Sequence, residues 1–159
     1  MTERPGVLVL GLGNELFTDE GVGVVAGRRL EQLDLPGVEI IDGGTLGIAL
    51  LPEIEGRDAL LVLDAVAKAG AQPGEIVEFD EQDLYRPLKL MYSAHQVGID
   101  ETLVAARLMG KAPRRARAVG LVPYSLETGY GLSPQAEERL GELLERARAV
   151  LAEWGVEGA

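Results

Sequence analysis

Short, uninterrupted runs of apolar residues recur along the chain, and each is followed by a glycine, an aspartate or a proline. Runs without polar alternation are typical of strands that are buried on both faces of a sheet. Residues 7–10 and 59–63 have this pattern, and residues 38–41 and 117–122 are two further candidate strands. We therefore predict four strands, each followed by a glycine, an aspartate or a proline.

The segments between these strands have apolar residues at helical spacing. Residues 21–33, 46–54 and 93–109 form three predicted helices, and Ser93 with Gln96 makes a capping box at the start of the third. A last helix begins with Ser133 as N-cap and Pro134 at its first position, and its apolar face contains Leu140, Leu143, Leu144, Ala147, Val150, Leu151 and Trp154. Because strands alternate with helices, the sheet is predicted to be mainly parallel.

The acidic segment 75–80 is a fifth predicted strand. Ten residues separate it from Asp64, with Gly70, Pro73 and Gly74 among them, which is too short for a helical crossover. We therefore expect an antiparallel strand at the edge of the sheet. The predicted fold is a three-layer α/β/α sandwich with a twisted, mainly parallel five-stranded sheet.

Composition and charge narrow the possible functions. The 159 residues suit one domain spanning residues 1–159, and the formal net charge of -11 disfavours nucleic acid and anionic membrane partners. The chain has no cysteine, which excludes disulfides, zinc–thiolate sites and a thiol nucleophile. The apolar run 7–10 is too short for a signal peptide, so we expect a cytoplasmic protein.

Residues 11–21, Gly-Leu-Gly-Asn-Glu-Leu-Phe-Thr-Asp-Glu-Gly, follow the first strand and begin like a dinucleotide-binding turn. The third glycine of that fingerprint is replaced by Leu16, and carboxylates stand where a pyrophosphate would bind. A dinucleotide site is therefore disfavoured. One interpretation of Asp19 and Glu20 is capping, since a helix N-terminus stabilises negative charge.

Three further polar positions follow predicted junctions. The second strand ends at Asp42-Gly43-Gly44-Thr45, a flexible turn that could approach a ligand or simply connect a strand to a helix. The central strand ends at Asp64, a lone carboxylate in an apolar stretch that needs a cation or strong hydrogen-bond donors if it is buried. His95, the only histidine, lies in the first turn of the helix 93–109.

Glu20, Asp64 and His95 are expected to meet at the carboxyl edge of the sheet, where open α/β folds bind their ligands. Two carboxylates and one imidazole suit nickel, iron, zinc or manganese and leave coordination positions open. The chain contains no Gly-x-Ser-x-Gly elbow and no His-Glu-x-x-His helix. These residues favour a metal-dependent site over a serine or thermolysin-like centre.

The order and spacing of four motifs resemble those of the hydrogenase maturation proteases. These motifs are Gly11-Leu12-Gly13-Asn14 with Asp19-Glu20-Gly21, then Asp42-Gly43-Gly44-Thr45, then Asp64-Ala65, and finally Ser93-Ala94-His95-Gln96. The resemblance covers residues 7 to about 133. It implies an endopeptidase that removes a C-terminal extension from the nickel-loaded precursor of the nickel–iron hydrogenase large subunit.

The same resemblance assigns roles to individual residues. Glu20, Asp64 and His95 are expected to be the catalytic and metal-binding residues, engaging nickel supplied by the precursor, with zinc or another divalent ion able to substitute in crystals. A water polarised there would attack the scissile carbonyl. The turn that consists of Asp42, Gly43, Gly44 and Thr45 is expected to bind substrate, with Asp42 orienting the peptide or moving protons.

Two other functions are compatible with the same three ligands. One is a metallohydrolase that acts on small molecules, and it should turn over without a protein partner. The other is a non-catalytic nickel-binding maturation chaperone, which should bind the precursor and leave its mass unchanged.

Overall fold

A computed structural model describes residues 4–85 and 94–159, with the side chains of 94–98 and 100 outside the description. Its sheet contains β1 (Val7–Leu12), β2 (Val38–Gly44), β3 (Ala59–Ala65), β4 (Ile76–Phe79) and β5 (Arg115–Leu121). The strand order is β2-β1-β3-β5-β4, with β4 antiparallel to β5 and the other pairs parallel. The predicted mainly parallel five-stranded sheet with an antiparallel edge is therefore confirmed.

Helices cover both faces of the sheet. They are α1 (Val22–Glu31), α2 (Leu51–Ile54), α3 (Glu81–Tyr85), α4 (Ala94–Leu108) and α5 (Pro134–Glu153). Apolar side chains of α2, α3 and α4 pack with one row of sheet side chains, whereas those of α1 and α5 pack with the opposite row. These two buried clusters make the predicted three layers. Within the described residues, no helix combines the length and apolarity needed to cross a bilayer.

The helix predicted over residues 46–54 is instead divided in two. A 3-10 turn spans Gly47–Leu50 and is followed by the single α-turn of α2. Pro52 has no amide hydrogen, so an α-helix through the whole segment would lack one of its hydrogen bonds. Gly47 has φ +54°, which lies outside the helical region. The prediction of one continuous helix was therefore wrong.

Helix α3 was not predicted, because its five residues are too few for periodicity to show. Its capping is local and reciprocal. The amide of Asp83 donates to Oδ1 of Asp80 at 2.9 Å, and the amide of Asp80 donates to Oδ2 of Asp83 at 3.0 Å. This exchange satisfies amides that the short helix leaves unpaired.

The N-cap of α5 agrees with the sequence prediction. The hydroxyl of Ser133 accepts from the amide of Ala136 at 3.2 Å, and Pro134 is the first helical residue. The predicted apolar face lies against the sheet, with Leu144 and Trp154 only partly buried at its margin. The capping box predicted for α4 cannot be compared, since Ser93 lies outside the described residues.

The direction of α4 determines where its first turn lies. Beyond the C-terminal end of α4, the carbonyl of Lys111 accepts from the amide of Gly56 at 3.1 Å, just before β3 begins. The C-terminal end of α4 is thus at the amino edge of the parallel strands. Its 15 residues extend about 22 Å at 1.5 Å per residue. Because α4 also packs against the 3-10 turn Gly47–Leu50 that follows β2, its first turn lies toward the carboxyl edge.

Candidate active site

The turn of residues 11–21, called the first turn below, lies where α1 closely approaches the ends of two strands. A Cβ atom on Gly23 would lie 2.1 Å from the carbonyl oxygen of Leu63 and 2.4 Å from that of Leu12. Gly13 has φ +135°, and a Cβ atom there would lie 1.9 Å from the carbonyl oxygen of Glu20. These two glycines bring the start of α1 against the strand ends, so the turn is used for internal packing.

Asp64 is the penultimate residue of β3 and is 1% exposed. Its Oδ1 accepts from the amide of Ala65 at 2.8 Å. Side chains alternate along a strand, and Leu60 and Val62 of the same row belong to the buried cluster that includes α4. The carboxylate therefore belongs to the face of the sheet that α4 covers.

Glu20 lies in a 3-10 turn, Thr18–Gly21, between β1 and α1. This turn packs against β3, the strand that ends near Asp64. The Glu20 residue is half-buried. Its turn and Asp64 thus occupy neighbouring positions at the carboxyl edge of the sheet.

Asp19 is fully buried and binds the loop that follows β5. Its carboxylate accepts from the amides of Tyr124 at 2.9 Å and Ser125 at 3.1 Å. It also accepts from the amide and the hydroxyl of Ser133, at 2.8 and 2.9 Å. The side chain of Asp19 therefore joins its own turn to the loop that runs from β5 to Ser133. Nothing in the local sequence indicates partners so distant along the chain.

The Asp42 turn is joined to the first turn through the backbone. The amide of Gly13 donates to the carbonyl of Gly44 at 3.0 Å, and Oδ1 of Asp42 accepts from the amide of Gly44 at 3.0 Å. Gly43 is buried, whereas Asp42 and Thr45 are exposed. Asp42 is therefore an exposed residue beside the first turn, with its Oδ1 occupied by the Gly44 amide.

Arg28, a residue that the sequence analysis did not single out, lies between two acidic side chains. Its Nη1 donates to Oε2 of Glu15 at 2.9 Å, its Nη2 donates to Oε1 of Glu15, and Nη2 lies 3.8 Å from Oδ2 of Asp42. The hydrogen bonding to Glu15 raises the pKa of Arg28 above its ordinary value. Arg28 and Glu15 are 13 positions apart, a spacing that matches no recognisable sequence pattern. The sequence therefore did not indicate that they pair.

A groove of about 400 Å³ lies between these turns. Its walls come from the first turn, the start of α1, the Asp42 turn and the loop after β5, and its lining residues are Gly13, Asn14, Glu15, Leu16, Val24, Asp42, Gly44, Thr45 and Tyr130. Its lining combines glycines with apolar, polar and acidic side chains. A groove of this composition can accept an extended peptide, which needs both hydrogen-bonding groups and apolar contacts.

His95 is the second residue of α4, so its backbone lies in the turn that reaches the carboxyl edge. Its side chain lies outside the described residues. Among the side chains that are described, no three histidine, cysteine, aspartate or glutamate groups form a metal-binding cluster. The grouping of Glu20, Asp64 and His95 around one ion stays a prediction.

Comparisons with known proteins identify the family. A family model described as hydrogenase maturation protease matches residues 24–150. The hydrogenase 2 maturation protease of Escherichia coli K12 is 40% identical over 153 residues, which cover 95% of this chain and 93% of that protein.

Solved structures give the same result. The hydrogenase maturating endopeptidase HybD from E. coli matches with a TM-score of 0.88 and 38% identity, over 95% of this chain and 94% of that one. The nickel–iron hydrogenase maturation protease HybD from Thermococcus kodakarensis matches with a TM-score of 0.75 and 28% identity, over 91% and 97% of the two chains. The chain therefore belongs to the hydrogenase maturation protease family and is a peptide hydrolase.

Proposed function

We propose that this chain is the endopeptidase that removes a C-terminal extension from the nickel-loaded precursor of a nickel–iron hydrogenase large subunit. Glu20, Asp64 and His95 engage the nickel of the substrate, and the groove beside Asp42 holds the peptide that leads to the scissile bond. Processing takes place in the cytoplasm, as expected from the sequence.

The observation that supports this proposal best is the position of Asp64. A carboxylate that is 1% exposed lies at the carboxyl end of the central strand, on the α4 face. The turn containing Glu20 packs against that strand, and the first turn of α4 reaches the same edge. Oxygen donors at this position, with an imidazole on the adjoining helix, suit a borderline divalent ion such as nickel.

The residues of this chain divide the work between holding the metal and holding the peptide. Nickel in the substrate supplies Lewis acidity next to the scissile carbonyl. Glu20, Asp64 and His95 bind that ion and so fix the position of the precursor. This positioning brings the scissile carbonyl and the attacking water together, so no side chain has to act as the nucleophile. Asp42, whose Oδ1 accepts from the Gly44 amide and whose Oδ2 is ion-paired with Arg28, orients the peptide or helps to move protons.

The test is to mix the purified protein with nickel-loaded and nickel-free precursor and to follow the extension by mass spectrometry. We expect cleavage of the nickel-loaded form only. Equal cleavage of both forms would refute the dependence on substrate nickel. An unchanged precursor mass together with stable binding would instead favour a maturation chaperone, and hydrolysis of small molecules without a partner would favour the metallohydrolase.

Two variants test assigned residues, and a third serves as their control. His95→Ala and Asp64→Asn should abolish cleavage; the asparagine keeps an Oδ1 acceptor for the Ala65 amide, so the fold should persist. Asp34→Asn is the matched control, because Asp34 is an exposed carboxylate in the turn after α1, with φ +48°, which asparagine tolerates. Full activity in folded His95→Ala or Asp64→Asn protein would remove that residue from the mechanism.

A further inference from the structure

Exposed apolar side chains are concentrated at one edge of the molecule. Among the side chains that the structure describes, most of the large exposed apolar ones lie on the three loops that follow β1, β2 and β5. We call six of them the apolar rim: Leu16, Phe17, Leu46, Ile48, Leu126 and Tyr130. A concentration of this kind marks an interaction surface, whereas scattered exposed apolar residues need no explanation.

Hydrogen bonds connect these loops into one surface. Thr18 and Gly129 are paired by a backbone hydrogen bond of 2.9 Å, and the amide of Gly129 donates to the carbonyl of Leu16 at 2.8 Å. Leu16 and Tyr130 line the same groove as Thr45, which directly precedes Leu46. The apolar rim therefore borders the groove on more than one side.

The charge of the same loops is uniform in sign. Residues 13–21, 42–50 and 123–133 contain no lysine or arginine. Asp19 is buried, and the other carboxylates of these loops are at least partly exposed, namely Glu15, Glu20, Asp42 and Glu127. Among the described side chains, Arg28 reaches these loops, and it is paired with Glu15 and Asp42. A partner that fits this edge has an apolar surface bordered by basic side chains.

We propose that the apolar rim is the docking surface for the folded body of the precursor, so that recognition extends beyond the peptide in the groove. This inference rests on the proposed function. Asp64 lies at the same edge, so a precursor whose nickel is bound there also covers the surrounding loops. The apolar rim is the surface that such a substrate covers.

The experiment compares the double variant Leu46→Ser/Leu126→Ser with the wild type on nickel-loaded precursor. These side chains are 60% and 42% exposed and lie on different loops, so the fold should tolerate both changes. We expect KM to rise at least tenfold with little change in kcat, because docking contributes equally to substrate and transition-state binding.

The matched control is Leu108→Ser/Met109→Ser, at the C-terminal end of α4 and away from the apolar rim. These side chains are 84% and 52% exposed, and we expect the wild-type KM. A second variant, Glu127→Lys, should raise KM more at low salt than at high salt, because screening weakens the repulsion of a basic partner.

The outcomes separate the two proposals. If the wild type fails to cleave nickel-loaded precursor, the proposed function is wrong. If the wild type cleaves it, and both the Leu46→Ser/Leu126→Ser and the Glu127→Lys proteins retain its KM within twofold, the docking surface is overturned and the function stands. If the first variant unfolds at assay temperature, the salt dependence of Glu127→Lys decides alone.

Discussion

Asp19 and Ser133 are joined by two hydrogen bonds across 114 positions of the sequence, from the amide and the hydroxyl of Ser133 to the Asp19 carboxylate. Asp19 precedes Glu20 in the 3-10 turn, and Ser133 is the N-cap of α5. One buried carboxylate thus joins the turn that contains a proposed metal ligand to the loop that forms the opposite wall of the groove.

Removal of this carboxylate should be costly. Asp19→Ala leaves three amides and one hydroxyl without their acceptor, and we expect a loss of about 3–5 kcal/mol in the free energy of unfolding. The measurement is thermal unfolding, where a decrease of roughly 10 °C corresponds to that loss. A change below about 2 °C would contradict the role described for Asp19.

Ser133→Ala provides the companion measurement. It removes the hydroxyl that donates to Asp19 and caps α5, and it leaves the Ser133 amide in place, so we expect a loss of about 1–2 kcal/mol. The sum of the two single-variant losses should exceed the loss measured for the double variant, because both substitutions remove the same hydrogen bond. Strict additivity would show that the two side chains act independently.

Two glycines of α1 offer a matched pair of alanine substitutions. Gly23→Ala would place Cβ against two backbone carbonyl oxygens, at 2.1 and 2.4 Å, and we expect a loss of about 2 kcal/mol or more. Gly27→Ala meets its nearest atoms at an ordinary 3.7 Å, and it should be neutral or stabilise the protein by up to about 1 kcal/mol. Chemical denaturation measures both; equal effects would contradict the close approach of α1 to the strands.

Metal binding can be tested directly by diffraction. Crystals soaked in nickel or zinc should show one anomalous peak that contacts Glu20, Asp64 and His95, at about 2.0–2.2 Å from their oxygen and nitrogen atoms. The same soak of Asp64→Asn crystals should weaken or remove the peak. A peak at another location in the wild type would contradict the ligand set.

General proteolysis should be absent. The chain has no cysteine nucleophile and neither of the motifs expected of a serine hydrolase or a zinc-helix protease. Casein incubated with the protein, with or without added zinc, should stay intact by gel electrophoresis. Serine- and cysteine-directed inhibitors should also leave processing of the precursor unchanged. Efficient casein digestion would reveal a self-sufficient catalytic centre.

The sequence by itself determined the parts of the fold that depend on neighbouring residues. Apolar runs identified the strands, Ser133 and Pro134 identified the start of α5, and the short interval after Asp64 identified the antiparallel edge. Each of these features follows from local periodicity, capping or connection length. The four motifs also led to the correct family, since their order and spacing can be read directly along the chain.

The tertiary structure alone decided which distant groups meet. The partners of Asp19 lie 105 to 114 positions away, and the pairing of Arg28 with Glu15 crosses from a helix to a turn. The close contact of Gly23 with the Leu63 carbonyl likewise depends on how α1 packs on the sheet. Such contacts are set by the packing of whole elements, which depends on long-range burial and has no repeating pattern along the sequence.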